Sequence, residues 1–144
     1  MKLKVLFLIP VFCLIAGFMN TVSAQDNLKA LLLKCESMDD VSINIVHQRD
    51  RETKETTQIV KSFSFKNNKS LVDDFLKAFE KDKDEAIQVI ENKKNGKIVP
   101  SYYQFADGEY NVAYTINVKD DGTSANISVI QNRVGKSKLG KWNY

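Results

Sequence analysis

The sequence predicts an α+β domain: a four- to five-stranded antiparallel sheet with two or three helices packed on one face. Three observations lead there. Tyr110–Val118 (YNVAYTINV) alternates Tyr110, Val112, Tyr114, Ile116 and Val118 with Asn111, Ala113, Thr115 and Asn117, the period-two pattern of a strand with one dry face. Leu71, Val72, Phe75, Leu76 and Phe79 recur at helical spacing, with Asp73, Asp74, Lys77 and Lys81 on the other side. Elements of one kind are also grouped: a helix, two strands, one or two helices, then three strands. That order indicates α+β rather than parallel βαβ units.

Residues 1–24 read as a cleaved signal peptide. Lys2 and Lys4 start it, Val5 to Phe18 is almost wholly apolar, and Val22-Ser23-Ala24 supplies small residues for a peptidase. The run is shorter than the roughly 20 residues a spanning helix needs, and Pro10 interrupts it, so no transmembrane helix is expected after cleavage. A lipid anchor at Cys13 is not favoured, because bulky Phe12 precedes it. The expected location is periplasmic or secreted. Residues 25–131 then form one domain, and 132–144 form a basic tail read as partly disordered.

Within the domain, Leu28, Leu31, Leu32 and Cys35 mark a helix over about 28–37, with Asp26 or Asn27 as its cap. Val41 to Gln48 reads as a strand with Val41, Ile43 and Ile45 on its inner face, and Thr56 to Lys66 as its partner with Ile59, Phe63 and Phe65 inward. The charged Arg49–Glu55 loop joins them into a hairpin. Lys61 interrupts the inner face, which suggests a bulge or an edge position for the second strand. Ser70 and Asp73 look like the start of the Leu71–Phe79 helix. Residues 82–96 can be read two ways. Asp82, Glu85, Ala86, Ile87 and Ile90 suit a short helix ending at Gly96, and this reading is favoured; Asn95-Gly96 is also a hairpin signal. Lys97 to Phe105 (with Pro100), Tyr110–Val118 and Ser124 to Gln131 form a three-stranded meander, turned at Asp107-Gly108 and Asp120-Asp121-Gly122.

The chemistry is sparse. Two of the twenty-one bases, Lys2 and Lys4, precede residue 25, so the remaining 120 residues carry nineteen bases and eighteen acids, a net +1. That balance gives no general affinity for nucleic acid or anionic membrane. Cys35 is the one cysteine after residue 24, so the domain must hold together by packing rather than by an internal disulfide. His47 is the single histidine and is read as a strand-end residue near the rim of the core. A Cys35–His47 dyad has no supporting motif around it. Asp120-Asp121-Gly122 lacks the closing acid of a calcium loop and reads as a turn. No phosphate loop, nucleophile elbow or zinc motif is present. No catalytic residue, metal ligand or cofactor is therefore assigned. The candidate binding residues are Tyr102 and Tyr103, as paired aromatic surface, and Lys136, Lys138, Lys141 and Trp142, which combine charge and aromatic area in the tail.

The leader ending at Ala24-Gln25, the Leu-rich opening helix, the MDDVSINIV run and the IENKKNGKIVPSYYQF segment together resemble a family of small exported proteins of unknown function typical of Bacteroides-type bacteria. The resemblance implies a cell-envelope or secreted location and carries no activity or functional residues.

The leading functional expectation is a non-enzymatic envelope protein that binds a partner, a protein or a carbohydrate of the envelope. The alternatives are a small hydrolase or transferase using acids and His47, and an assembly subunit that pairs through an edge strand.

Overall fold

The computed structural model describes residues 25–134. Their elements are α1 (Asp26–Glu36), β1 (Ser42–Arg49), β2 (Thr56–Phe65), α2 (Lys69–Asp82), β3 (Gln88–Lys94), β4 (Lys97–Asp107), β5 (Tyr110–Val118) and β6 (Ala125–Arg133), with one 3-10 turn at Lys83–Glu85. All strands pair antiparallel in one sheet of order β1-β2-β6-β5-β4-β3. Six strands and two α-helices replace the expected four or five strands and two or three helices.

The additional strand is β3. The favoured helix over 82–96 is not formed: beyond the 3-10 turn, Gln88–Lys94 pairs with β4. Asn95 and Gly96 have φ of 52° and 78°, the left-handed pair that a tight two-residue hairpin turn demands. Turn geometry thus outweighs the helical spacing of Ala86, Ile87 and Ile90, and the edge of β4 supplies the backbone partners that make Gln88–Lys94 a strand.

The two helices lie on one face of the sheet. Leu28, Leu32 and Cys35 of α1 and Leu71, Val72, Phe75, Ala78 and Phe79 of α2 share a buried cluster with the inward residues of four strands. Those residues are Phe63 and Phe65 of β2, Ala125, Ile127 and Val129 of β6, Val112, Tyr114 and Ile116 of β5, and Tyr103 and Phe105 of β4. Phe79 meets Tyr103 edge-on at 5.1 Å, and Phe105 meets Tyr114 edge-on at 5.6 Å, the arrangement that ring quadrupoles favour. The core thus lies over β2, β6, β5 and β4, and the outer strands β1 and β3 extend beyond it.

Several local expectations change with that arrangement. Val41 is buried, but every residue of β1 is exposed, including Ile43 and Ile45, because the helices do not reach the sheet edge. His47 is likewise exposed rather than at a core rim. β2 is not an edge and its pairing with β6 is unbroken from Gln58 to Phe65. Lys61 keeps its place on the inner face, buried, with its ammonium bonded to Glu36 at the end of α1 and 5.5 Å from the Phe63 ring centre. A charge that the pattern treated as a fault in the strand is an ion pair between layers. Burial lowers the Lys61 pKa from its ordinary value.

The helix caps also differ from expectation. α2 starts at Asn68, whose side-chain oxygen accepts from the Leu71 N–H at 3.0 Å, so the cap lies two residues before Ser70. At the start of α1, neither Asp26 nor Asn27 acts as cap. Asp82, the last residue of α2, accepts from the Leu28 N–H at 2.8 Å and from Asn27 Nδ2 at 2.6 Å. Orphan donors of one helix are satisfied by a carboxylate from the other, which ties the layer together.

Candidate functional site

Register and alternation decide which side chains leave the core. On β2 and β6 the odd-numbered residues face the helices; on β5 the even-numbered ones do. The opposite set forms a broad uncovered face. Strand-to-strand spacing makes it about 24 Å wide from β1 to β3.

This face has a consistent chemistry. One row across the sheet is Asn44, Ser62, Ser128, Thr115 and Tyr102, which stand opposite one another in successive pairs. A second is Val46, Val60, Ile130, Ala113 and Gln104, and a third is Gln48, Gln58, Asn132 and Asn111. Amide and hydroxyl rows therefore flank a short apolar row. None of these positions carries a formal charge. The charged side chains of the sheet, such as Lys61, Glu91, Asp107 and Arg133, lie on the helix side or at strand ends.

Neighbouring side chains on the face satisfy one another. Gln58 Nε2 donates to Asn132 Oδ1 at 2.7 Å, the Ser62 and Ser128 hydroxyls lie 3.0 Å apart, and the Tyr102 hydroxyl donates to Gln104 Oε1 at 2.7 Å. Each of these groups keeps further donor or acceptor capacity for a ligand. Tyr102 is the face's aromatic side chain and is half-exposed.

Tyr102 and Tyr103, adjacent in sequence, point to opposite faces. Tyr103 is fully buried, and its hydroxyl donates to Glu91 Oε1 at 2.8 Å. Glu91 also receives Lys83 Nζ at 2.9 Å, and these two bonds, Lys83 first, hold its carboxyl below the usual range. Burial, then the Glu91 bond, pushes the Tyr103 phenol up. The pair is thus one surface residue and one core residue. Lys136, Lys138, Lys141 and Trp142 lie outside the described residues, as does the leader with Cys13.

A cleft of about 360 Å³ opens at one end of the sheet. β4 pairs with β5 only from Tyr102 to Asp107, so the β3–β4 hairpin tip splays away from Ile116–Val118. The register of β3 against β4 shifts after Ile90, where Glu91 stands opposite Pro100. Lys94 Nζ spans the gap to Asp120 at 2.7 Å. Leu76, Ile116 and Val118 are among the apolar lining, and Asn92 and Asn117 line it beside the charged Lys97 and Lys119. The neighbouring turn is built as a turn: Asp121 accepts from the backbone N–H groups of Thr123 and Ser124 at 2.8 and 3.0 Å, and Gly122 has φ of 67°.

The two residues considered for a thiol–imidazole dyad are in unlike places. Cys35 is buried within α1's inner face, where burial pushes its thiol up to about 11, and His47 is on the exposed edge strand. Among the described residues no group of three or more His, Cys, Asp or Glu could hold a metal ion, and no helix there is long and apolar enough to cross a membrane.

Sequence patterning had selected Tyr102 but not the face around it. The signal is present in the outward positions of β2, β5 and β6, which are Ser, Asn, Thr, Gln, Ala, Val and Ile without a single Lys, Arg, Asp or Glu. It could be read only after the strands were placed side by side.

Fold and surface together make residues 25–134 a two-layer domain: two helices on a six-stranded antiparallel sheet whose outer face is uncharged over the rows that cross from β1 to β4. Residues 25–130 match the domain of unknown function DUF5024, and the chain belongs to that family. No curated protein and no solved structure gives a significant match.

Proposed function

We propose that this protein is an exported, non-enzymatic binding protein of the cell envelope, of the kind found in Bacteroides-type bacteria, and that its open sheet face takes a neutral, polyhydroxylated ligand such as an envelope glycan. The leader pattern of residues 1–24 supports export. The uncharged face carries the ligand assignment. Covering a charged side chain costs several kcal/mol unless a partner charge replaces its water, so a charge-free face is cheap to cover with a neutral molecule. Rows of amides and hydroxyls supply both donors and acceptors, as sugar hydroxyls require. Tyr102 gives one ring on which a sugar face can stack. A strongly charged partner would find no complementary charge there.

Affinity electrophoresis through gels containing a neutral glucan, mannan or galactan, against acidic polygalacturonate, tests this. At least one neutral polymer should retard the protein, with little sensitivity to salt. Tyr102→Ala should weaken that retardation about tenfold, on the order of 1–2 kcal/mol. No retardation by any neutral polymer, or retention on polygalacturonate alone that salt abolishes, would overturn the proposal. Retention unchanged in Tyr102→Ala would move the site off this face.

A further inference from the structure

The open face is uniform in one direction only. Along a strand it alternates, as Asn44, Val46 and Gln48 do on β1 and Ser128, Ile130 and Asn132 do on β6. Across the strands the register sets like beside like. The aliphatic row Val46, Val60, Ile130 and Ala113 therefore runs as a lane between two polar rails and ends at Gln104 on β4. The row beyond the first rail, Ser42, Ser64, Asn126 and Asn117, is polar again, so from β1 to β5 this lane has no aliphatic neighbour on that side. Val46 is half-exposed, Val60 and Ile130 are partly so, and Ala113, set between Ile130 and Gln104, is buried. From β1 to β4 the lane crosses four strand spacings, about 19 Å, and each rail lies about 6.8 Å to its side.

We infer, resting on the neutral-glycan reading above, that the ligand is an unbranched β-1,4-linked glycan of gluco configuration, laid across the strands with its ring faces on the aliphatic lane. Every ring substituent of such a chain is equatorial. Each sugar then has two C–H faces and two hydroxyl-bearing edges, an apolar middle with polar sides. The sugars also repeat at close to the strand spacing of about 4.8 Å. Set along the lane, the chain places C–H faces over Val46, Val60 and Ile130. Its edges meet Ser62 and Ser128 on one side and Gln58 and Asn132 on the other. Those two pairs are already bonded, at 3.0 and 2.7 Å, which orders the rails before a ligand arrives. Set along a strand instead, the chain would press C–H surface onto every second side-chain amide or hydroxyl and leave it unbonded. An α-1,4-linked chain of the same sugar coils and cannot keep its faces on a straight lane. An axial hydroxyl, as in mannan, would put a polar group against the aliphatic row. The twist of a sheet, about 20–25° between neighbouring strands, is followed by rotation about the glycosidic bonds. Tyr102 stands at the β4 end, its hydroxyl on Gln104, where its ring meets the last sugar.

Isothermal titration calorimetry of the purified protein with cello- and malto-oligosaccharides of increasing length tests this. Affinity for the cello series should climb with each sugar and level off at about five, one per strand crossed. Cellohexaose should bind about tenfold tighter than maltohexaose, which is built from the same sugar. Val46→Asp on β1 and Gln104→Ala on β4, about 19 Å apart, should each weaken cellohexaose several-fold with an unchanged circular dichroism spectrum. A chain laid along one strand could reach only one of the two. Maltohexaose binding as tightly as cellohexaose, no gain beyond cellotriose, a loss in only one of the two variants, or binding shown only by some other neutral polymer would each overturn the inference and leave the neutral-glycan reading standing. No binding of any oligosaccharide, together with no retardation by any neutral polymer, would overturn both.

Discussion

The two faces of this sheet are built from the same strands and alternate residue by residue, yet they do different work. The covered face holds the buried aromatic and aliphatic core, from Phe63 to Ile127, with aromatic edges in contact and a single lysine paired to a helix. The open face holds a short aliphatic row, Val46, Val60, Ile130 and Ala113, between amides and hydroxyls bonded to their lateral neighbours. On the covered side, removal of an atom leaves a hole or an orphaned polar group. On the open side, water fills the gap. Stability should therefore reside on one face and recognition on the other, a division that can be broken experimentally.

The largest expected effect is at Phe79, fully buried against Tyr103. Phe79→Ala should lower unfolding free energy by about 3–5 kcal/mol in urea or guanidinium titrations. Asp82→Ala should come next, at about 1–3 kcal/mol, because Asn27 and Leu28 lose their acceptor. Hydrogen exchange should then show the first turn of α1 opening faster than the strands.

Tyr114 provides a pH test of the same face. Its phenol is raised above the ordinary 10.0, chiefly by burial. The folded state therefore holds that proton more tightly than the unfolded chain. The resulting stability is complete below pH 10.0 and is lost as pH rises past it, by about 1.4 kcal/mol per pH unit. Cys35, raised from 9.0 to about 11, acts in the same direction, and Lys61, lowered by burial, acts oppositely. Comparing Tyr114→Phe with wild type isolates one group: the variant should lose stability less steeply above pH 10. The smallest effect is expected at Thr115, the next residue along the strand but on the open face. Thr115→Ala should change stability by no more than about 0.5 kcal/mol. A loss there as large as that of Phe79→Ala would show that the open face is structural after all.

How much of this was legible in advance varies by element. The Tyr110–Val118 strand and the Leu71–Phe79 helix are readable because each has a clean period that only one local structure satisfies. Residues 82–96 carried two signals, a helical spacing and an Asn-Gly turn, and the choice depended on whether β4 offered a free edge. Lys61 looked like a strand defect because its partner, Glu36, is distant in sequence. Tyr102 and Tyr103 looked like one patch because a sequence shows adjacency, whereas a pleated strand turns neighbours to opposite faces.

The sequence by itself determined periodicities, turn positions and the absence of recognisable catalytic motifs, since these depend on neighbours within a few residues. Only the tertiary structure decided which strands are edges, which carboxylate caps which helix, and that outward residues of five strands form one uncharged surface. Those properties arise from pairing between segments distant in the chain, and loop closure and burial, rather than local preference, select them.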